Sequence, residues 1–102
     1  MPLPLVAIII AAAVGLGVVA LVLLKWSTII DWFRGREQLV MSDKENIAIT
    51  LQTKLKNGDY NTVQGIFNKN TSEFEDGVKY ESKDVSEEQK KAHQKEELVI
   101  YT

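Results

Sequence analysis

The first 24 residues form one continuous apolar segment, and every Lys, Arg, Asp and Glu comes after it. Residues Leu3 to Leu24 read LPLVAIIIAAAVGLGVVALVLL. As a helix, this run rises roughly 33 Å, which matches a bilayer hydrocarbon core of about 30 Å. A helix that is apolar on every side cannot be covered by the remainder of a small domain. The pattern therefore predicts a single transmembrane helix.

The residues just past this run are of types that favour a membrane–water interface. Tryptophan prefers the headgroup level, and a lysine can extend its charged end from the same depth. Residues 1–33 are accordingly predicted to form a transmembrane helix with an interfacial extension. The excess of basic residues after the span places the N-terminus outside and the C-terminal domain in the cytoplasm. The predicted interface residues are Lys25, Trp26, Trp32, Phe33, Arg34 and Arg36.

Small residues recur at a spacing of four within the apolar segment. Ala7, Ala11 and Gly15 form one series, and Ala13 and Gly17 form a second. Small side chains at this spacing let two membrane helices approach closely, so we expect the span to pack against a copy of itself or another helix. The opening Met-Pro-Leu-Pro-Leu resembles the start of many small bacterial membrane proteins, and that resemblance implies only a span.

After a polar connector at residues 34–45, apolar and polar residues alternate from Ile47 to Leu55. This period of two predicts a half-buried strand, although Leu, Gln and Lys leave a helix as the alternative. Asn57-Gly58 is a strong hairpin signal, so Tyr60 to Phe67 is predicted to return as a second strand. Gly65 inside it marks a bulge or a close approach of another part of the chain.

Three further elements complete the predicted domain at residues 46–102. Glu73 to Lys83 reads as a polar third strand, and Leu98 to Tyr101 reads as a short final strand. Between them, Ser86 and Gln89 have the spacing of a capping box that begins a helix. The predicted fold is a single N-terminal transmembrane α-helix followed by a small soluble α+β domain. That domain consists of an antiparallel β-meander, one short helix and a C-terminal strand.

The amino-acid composition excludes several kinds of functional site. The 102 residues carry a net charge of −2, no cysteine and one histidine. Disulfides, thiolate ligands and histidine clusters are therefore impossible within the chain, and no basic patch favours nucleic acid. His93 lies in a charged stretch and is expected to be a solvated surface residue. We predict no catalytic residue, no cofactor and no metal site, and hence a protein that is not an enzyme.

The leading functional hypothesis is a membrane-anchored, non-enzymatic structural or adaptor subunit. Its partners are expected to be the lipid bilayer and other protein subunits, including copies of itself joined through the span. A strand at Glu73 to Lys83 or Leu98 to Tyr101 is the expected docking edge. Two alternatives remain: a structural protein linking the internal membrane of a lipid-containing virion to its capsid, and a small modulator of a larger membrane enzyme or transporter.

Overall fold

A five-stranded mixed β-sheet with short helices on both faces forms the centre of the computed structural model, which describes residues 4–101. Residues 1–3 of the predicted span and residue 102 of the predicted domain lie outside the described residues. The helices are α1 (Leu5–Ala12), α2 (Trp26–Arg34), α3 (Glu37–Met41) and α4 (Glu87–Ala92), with a 3₁₀ turn at Ala13–Gly15. The strands are β1 (Val18–Leu24), β2 (Asn46–Lys54), β3 (Tyr60–Asn68), β4 (Glu73–Val85) and β5 (Leu98–Tyr101).

The apolar segment at the N-terminus is divided between a helix and a strand. Helix α1 has 8 residues, the 3₁₀ turn has 3 and β1 has 7. Among residues 4–101, no helix combines the length and the apolar character that crossing a membrane requires. The predicted transmembrane helix is therefore wrong. The single-pass membrane localisation, with its outside N-terminus and cytoplasmic domain, is not supported.

The physical reason for this division lies in the middle of the segment. Gly15 and Gly17 each cost a helix about 1 kcal/mol relative to alanine. The residues that follow, Val18–Leu24, include three β-branched valines that favour extended backbone. The backbone of this stretch then pairs in parallel with β4, from Val18 opposite Lys79 to Leu24 opposite Val85. Strand pairing thus supplies the hydrogen bonds that a continuous helix would have made internally.

The four remaining strands occur in the predicted order along the chain, but the sheet that contains them has β1 as a fifth strand. Strands β2, β3 and β4 form an antiparallel meander, and β5 pairs with β2. The hairpin turn between β2 and β3 contains Gly58 at φ 92°, a backbone conformation that glycine adopts without strain. The order across the sheet is β1-β4-β3-β2-β5. Glu73 to Lys83 is therefore an interior strand rather than a docking edge, and the edges are β1 and β5.

The two faces of the sheet bury different chemistry. On one face, Ile49, Leu51, Val63 and Phe67 pack under α1, whose Ile9 is fully buried. On the other face, a small apolar cluster of Leu24, Ile29, Tyr80 and Val85 lies near α2. The same face also buries the polar residues Thr50, Thr62, Gln64 and Ser82. We call the first the apolar face and the second the polar face.

The predicted close approach at Gly65 is present. A methyl group at this position would meet the Phe74 ring at 2.5 Å and the Asp76 carbonyl oxygen at 2.9 Å. The pairing of β3 with β4 also shifts register between Ile66 and Phe67. Glycine is therefore required at position 65, because the Phe74 ring lies over it on the apolar face, with the Phe74 and Phe67 ring centroids 5.3 Å apart.

Candidate functional site

Strand β1 presents an unpaired outer edge. It lies at one end of the sheet, and within residues 4–101 no strand pairs with its outer side. Its seven residues read VVALVLL, without a charge, a proline or a polar side chain. Natural sheets protect their edges with charges, prolines, bulges or shortened strands, because a bare edge is a template for another strand. Strand β1 has none of the protecting side chains.

Large hydrophobic side chains are concentrated around this edge. Among the described residues, six of the nine exposed large hydrophobic side chains belong to the segment Leu5–Leu24, with exposed fractions from 42% to 77%. Single exposed hydrophobic residues are common on protein surfaces, whereas a group in one segment indicates a binding surface. The six residues are Ile10, Val14, Val18, Val19, Val22 and Leu23. These side chains and the outer edge of β1 are called the uncharged edge below.

A hollow of about 280 Å³ opens next to the uncharged edge, between the 3₁₀ turn and the apolar face of the sheet. Val14 and Ile10 form its outer wall, and Leu51 and Val63 lie on the sheet side. The opening reaches Lys79 of β4, which pairs with Val18 at the start of β1. A partner that adds a strand to β1 could therefore also place an apolar side chain in this hollow.

The polar face contains a second group of candidate residues, centred on Gln64. The Gln64 side chain is fully buried, and its Nε2 donates to the Ile29 carbonyl at 2.8 Å. The Tyr80 hydroxyl donates to Gln64 Oε1 at 3.0 Å, and burial raises the pKa of Tyr80. These bonds join α2 to the middle of the sheet, so Gln64 acts as a structural tie between the two.

His93 follows α4 and closes over Thr50 of β2. Its Nε2 lies 2.7 Å from Thr50 Oγ1, and its Nδ1 lies 3.1 Å from the Glu96 carbonyl oxygen. Burial lowers the pKa of His93, against an opposing effect of backbone hydrogen bonds at Glu96 and Glu97. The imidazole is therefore neutral at pH 7. His93 is therefore half-buried and hydrogen-bonded rather than freely solvated.

Neutrality of His93 sets the direction of the hydrogen bonds around it. A carbonyl can only accept, so Nδ1–H donates to Glu96 and Nε2 accepts from the Thr50 hydroxyl. The Tyr101 hydroxyl, 2.8 Å from Thr50 Oγ1, then donates to that oxygen. A hydroxyl paired with an imidazole is the arrangement of an activated nucleophile. Thr50, however, has no exposed surface, so its hydroxyl is not accessible to a substrate in this structure.

Several buried polar groups under α4 lack partners. Gln89 is fully buried, and neither of its side-chain polar atoms has a hydrogen-bond partner in the described part of the chain. Ser82 Oγ and Ser86 Oγ are also buried, and neither has a hydrogen-bond partner among the described residues. Ser86 is the N-cap of α4 but makes no side-chain capping bond. The helix begins where the capping-box pattern predicts, but without the predicted side-chain hydrogen bond.

The predicted interface residues pack mainly against other parts of the protein. The Phe33 and Tyr101 ring centroids are 4.9 Å apart, and those of Trp26 and Tyr101 are 6.2 Å apart. The Arg36 guanidinium lies 3.8 Å from the centre of the Trp32 ring. Arg36 Nε also donates to Asp76 Oδ2 of β4 at 2.6 Å. Lys25 and Arg34 are exposed.

The small residues do not form the predicted helix-packing stripe. Ala7 and Ala11 lie in α1, but Gly15 lies in the 3₁₀ turn beyond its end. Ala13 is buried in the core of the apolar face, and Gly17 is exposed just before β1. The two series are therefore spread over three backbone conformations.

Neither the chemistry of the described residues nor comparison with known proteins adds a ligand. Within residues 4–101, no group of three or more His, Asp or Glu side chains is close enough to hold a metal ion. The chain matches no protein-family model, no curated protein and no solved structure. The uncharged edge is thus the surface feature that points to a function.

Sequence reasoning missed the uncharged edge, although the signal for it was present. Glycine at positions 15 and 17, followed by a valine-rich stretch, is a helix end and a strand start. The uninterrupted apolar character hid that change, because a buried strand and a membrane helix share it. The contacts of His93 had no local signal, since Thr50 is far away along the chain.

Proposed function

We propose that the chain is a non-enzymatic assembly subunit whose uncharged edge receives a strand from a protein partner. The observation that carries the proposal is the bare seven-residue strand β1 with exposed Val18, Val22 and Leu23. Strand addition gives affinity through main-chain hydrogen bonds and specificity through side chains on the two faces of the added strand.

The opposite edge supports the choice of β1. Strand β5 has four residues, and its Tyr101 ring packs on Phe33 while its hydroxyl bonds Thr50. A short edge strand is a poor template for another strand. The buried position of Thr50 favours a structural role for the His93 contact. The virion and membrane-modulator alternatives were both built on a membrane span, and no observation in the structure favours either.

The test is co-purification of the full chain from cells that naturally contain it, with a C-terminal affinity tag. Val22→Lys places a charge on the uncharged edge, and Ile100→Lys places the same charge on β5, where Ile100 is 47% exposed. We expect Val22→Lys to reduce partner recovery at least tenfold and Ile100→Lys to leave it unchanged. Equal recovery with both variants, or loss only with Ile100→Lys, would contradict the proposal.

A further inference from the structure

We infer that the strand received by the uncharged edge is β1 of a second copy of the same chain, paired antiparallel across a two-fold axis. The inference rests on the proposed function and names its partner. Two five-stranded sheets joined in this way form one continuous ten-stranded sheet with β5 at both ends. Most soluble oligomers are built from identical chains with closed symmetry of this kind.

Charge favours a copy of the chain as the partner. The segment Leu5–Leu24 has no charged residue, so a two-fold contact between two such segments brings no like charges together. The first charge is Lys25, directly after β1. In an antiparallel pair centred on the strand, the two Lys25 residues lie at opposite ends, roughly 26 Å apart at 3.3 Å per residue. That separation is well beyond the screening length of about 8 Å at physiological salt.

An alternative arrangement pairs β1 with β5 of another copy. The β1–β1 arrangement is favoured because it forms a closed assembly. A β1–β5 contact uses two different surfaces and leaves one of each kind free, so it continues into an open fibre unless it happens to form a ring. It also pairs the seven-residue strand β1 with β5, which has only four residues. A two-fold β1–β1 contact matches seven residues with seven and leaves no β1 edge free.

The surface that a stable dimer requires is a small part of this chain's accessible surface. A stable interface buries about 800 Å² from each partner, which is about an eighth of this chain's accessible surface of 6473 Å². The uncharged edge supplies seven strand residues and the exposed side chains of Ile10 and Val14 beside them. Each hydrophobic side chain removed from water contributes about 25 cal/mol per Å² of apolar area.

The backbone of β1 shows which atoms the second copy would bond. The Lys79 N–H donates to the Gly17 carbonyl at 2.9 Å, so the backbone groups of Gly17 point toward β4. Successive residues of a strand point their N–H and C=O groups to opposite sides. The Ala20 N–H therefore points outward, away from β4, where it is available to a second β1.

The principal test measures the mass of the purified full chain by sedimentation equilibrium over a wide range of concentration. We expect a dimer whose dissociation constant changes little with salt, because no charge lies in the contact. Ala20→Pro removes the outward donor, which is tolerated in an edge strand, and Val22→Lys adds a charge. Each should weaken dimerisation at least tenfold. If Ala20→Pro fails to fold by circular dichroism, Val22→Lys remains decisive because its side chain is exposed.

Two controls separate strand pairing from general hydrophobic association. Val14→Lys alters a valine that is as exposed as Val22 but lies off the strand, and Ile100→Lys alters the opposite edge. We expect Val14→Lys to weaken the dimer less than Val22→Lys does, and Ile100→Lys to leave it unchanged. A dimer lost through Ile100→Lys, or through Val14→Lys alone, would overturn the inference.

Cross-linking provides a geometric test, because the chain contains no cysteine. Single-cysteine variants at Val18, Leu21 and Leu23 can form a disulfide only where two copies bring the same position within about 7 Å, and Leu21 lies at the centre of β1. We expect oxidation to link the variant nearest the two-fold axis efficiently and the others poorly. Equal linkage at every position would indicate random collision and contradict a fixed two-fold pair.

The outcomes distinguish the inference from the proposed function. A chain that is monomeric at all concentrations overturns the inference. If such a monomer still recovers another protein in a Val22-dependent manner, the uncharged edge binds a different partner and the proposed function stands. If it is monomeric and recovers nothing that depends on Val22, both are wrong.

Discussion

The apolar and polar faces of the sheet bury their residues by different means. Under α1, Ile49, Leu51, Val63 and Phe67 contribute through apolar area removed from water. Under α2 and α4, Gln64 and Thr50 are held by directed hydrogen bonds, while Gln89 has no partner in the described residues. Removing atoms from the apolar face should therefore always destabilise the fold. Removing polar atoms from the other face should depend on whether those atoms are bonded.

The largest effect is expected from Phe67→Ala on the apolar face. Phe67 is 1% exposed and packs against Phe74, so truncation removes apolar contacts and leaves a cavity. We expect the free energy of unfolding to fall by about 3–5 kcal/mol. Urea denaturation at one fixed protein concentration measures it, because self-association also contributes to apparent stability. A loss below that of the exposed control Ile100→Ala would contradict the assignment of the core to this face.

A smaller loss is expected from Gly65→Ala, which adds atoms to the same face. The new methyl group would lie 2.5 Å from the Phe74 ring and 2.9 Å from the Asp76 carbonyl. Overpacking of this kind costs about 1–3 kcal/mol. The matched control is Gly17→Ala, where a methyl group meets nothing within 4 Å. Equal stability of the two variants by thermal unfolding would show that Phe74 does not occupy this place.

The polar face should respond in the opposite direction to Gln89→Met. Two buried polar atoms without partners are replaced by an apolar side chain of similar length, so their desolvation penalty is removed. We expect the free energy of unfolding to rise by about 1 kcal/mol. Gln64→Met, which breaks two hydrogen bonds to Ile29 and Tyr80, should instead destabilise the protein. Destabilisation by both variants would mean that Gln89 is bonded in solution.

The smallest effect is a dependence on pH through His93. Burial lowers the pKa of His93 in the folded state, so the unfolded chain binds more protons near its ordinary value of about 6.5. Stability should therefore fall as the pH drops below about 6.5, and level off below the folded pKa. The pKa values of Asp43 and Asp84 are also lowered, but protonation of these carboxyls reduces the stability of the protein only in a more acidic range. Urea midpoints from pH 7.5 to 5 measure the slope, which His93→Gln should reduce.

The sequence was a good guide where local pattern and long-range packing agree. The alternation from Ile47 to Leu55 and the Asn57-Gly58 turn correctly predicted the β2–β3 hairpin, and Ser86 marked the start of α4. Gly65 was correctly associated with a close approach. In each case a few neighbouring residues carry the whole signal, so no knowledge of the rest of the chain is needed.

The sequence was a poor guide where the outcome depends on a distant partner. An apolar run satisfies a membrane helix and a sheet strand equally well, and the pairing with Lys79 to Val85 decides between them. Because this pairing is parallel, the sheet is mixed, whereas the prediction contained only an antiparallel meander. His93 illustrates the same limit, because its environment is made by Thr50 and Tyr101 from other strands.

The parallel pairing of β1 with β4 also affects the order of folding. The two strands are about sixty residues apart in the chain, whereas the β2–β3 hairpin closes over a short loop. Contacts between distant residues form slowly because loop closure must precede them. During synthesis Leu5–Leu24 leaves the ribosome before β4, so β1 has no strand to join until residue 85 has emerged. This uncharged apolar segment therefore lacks its partner strand while most of the chain is being made, which makes early chaperone binding to residues 5–24 advantageous.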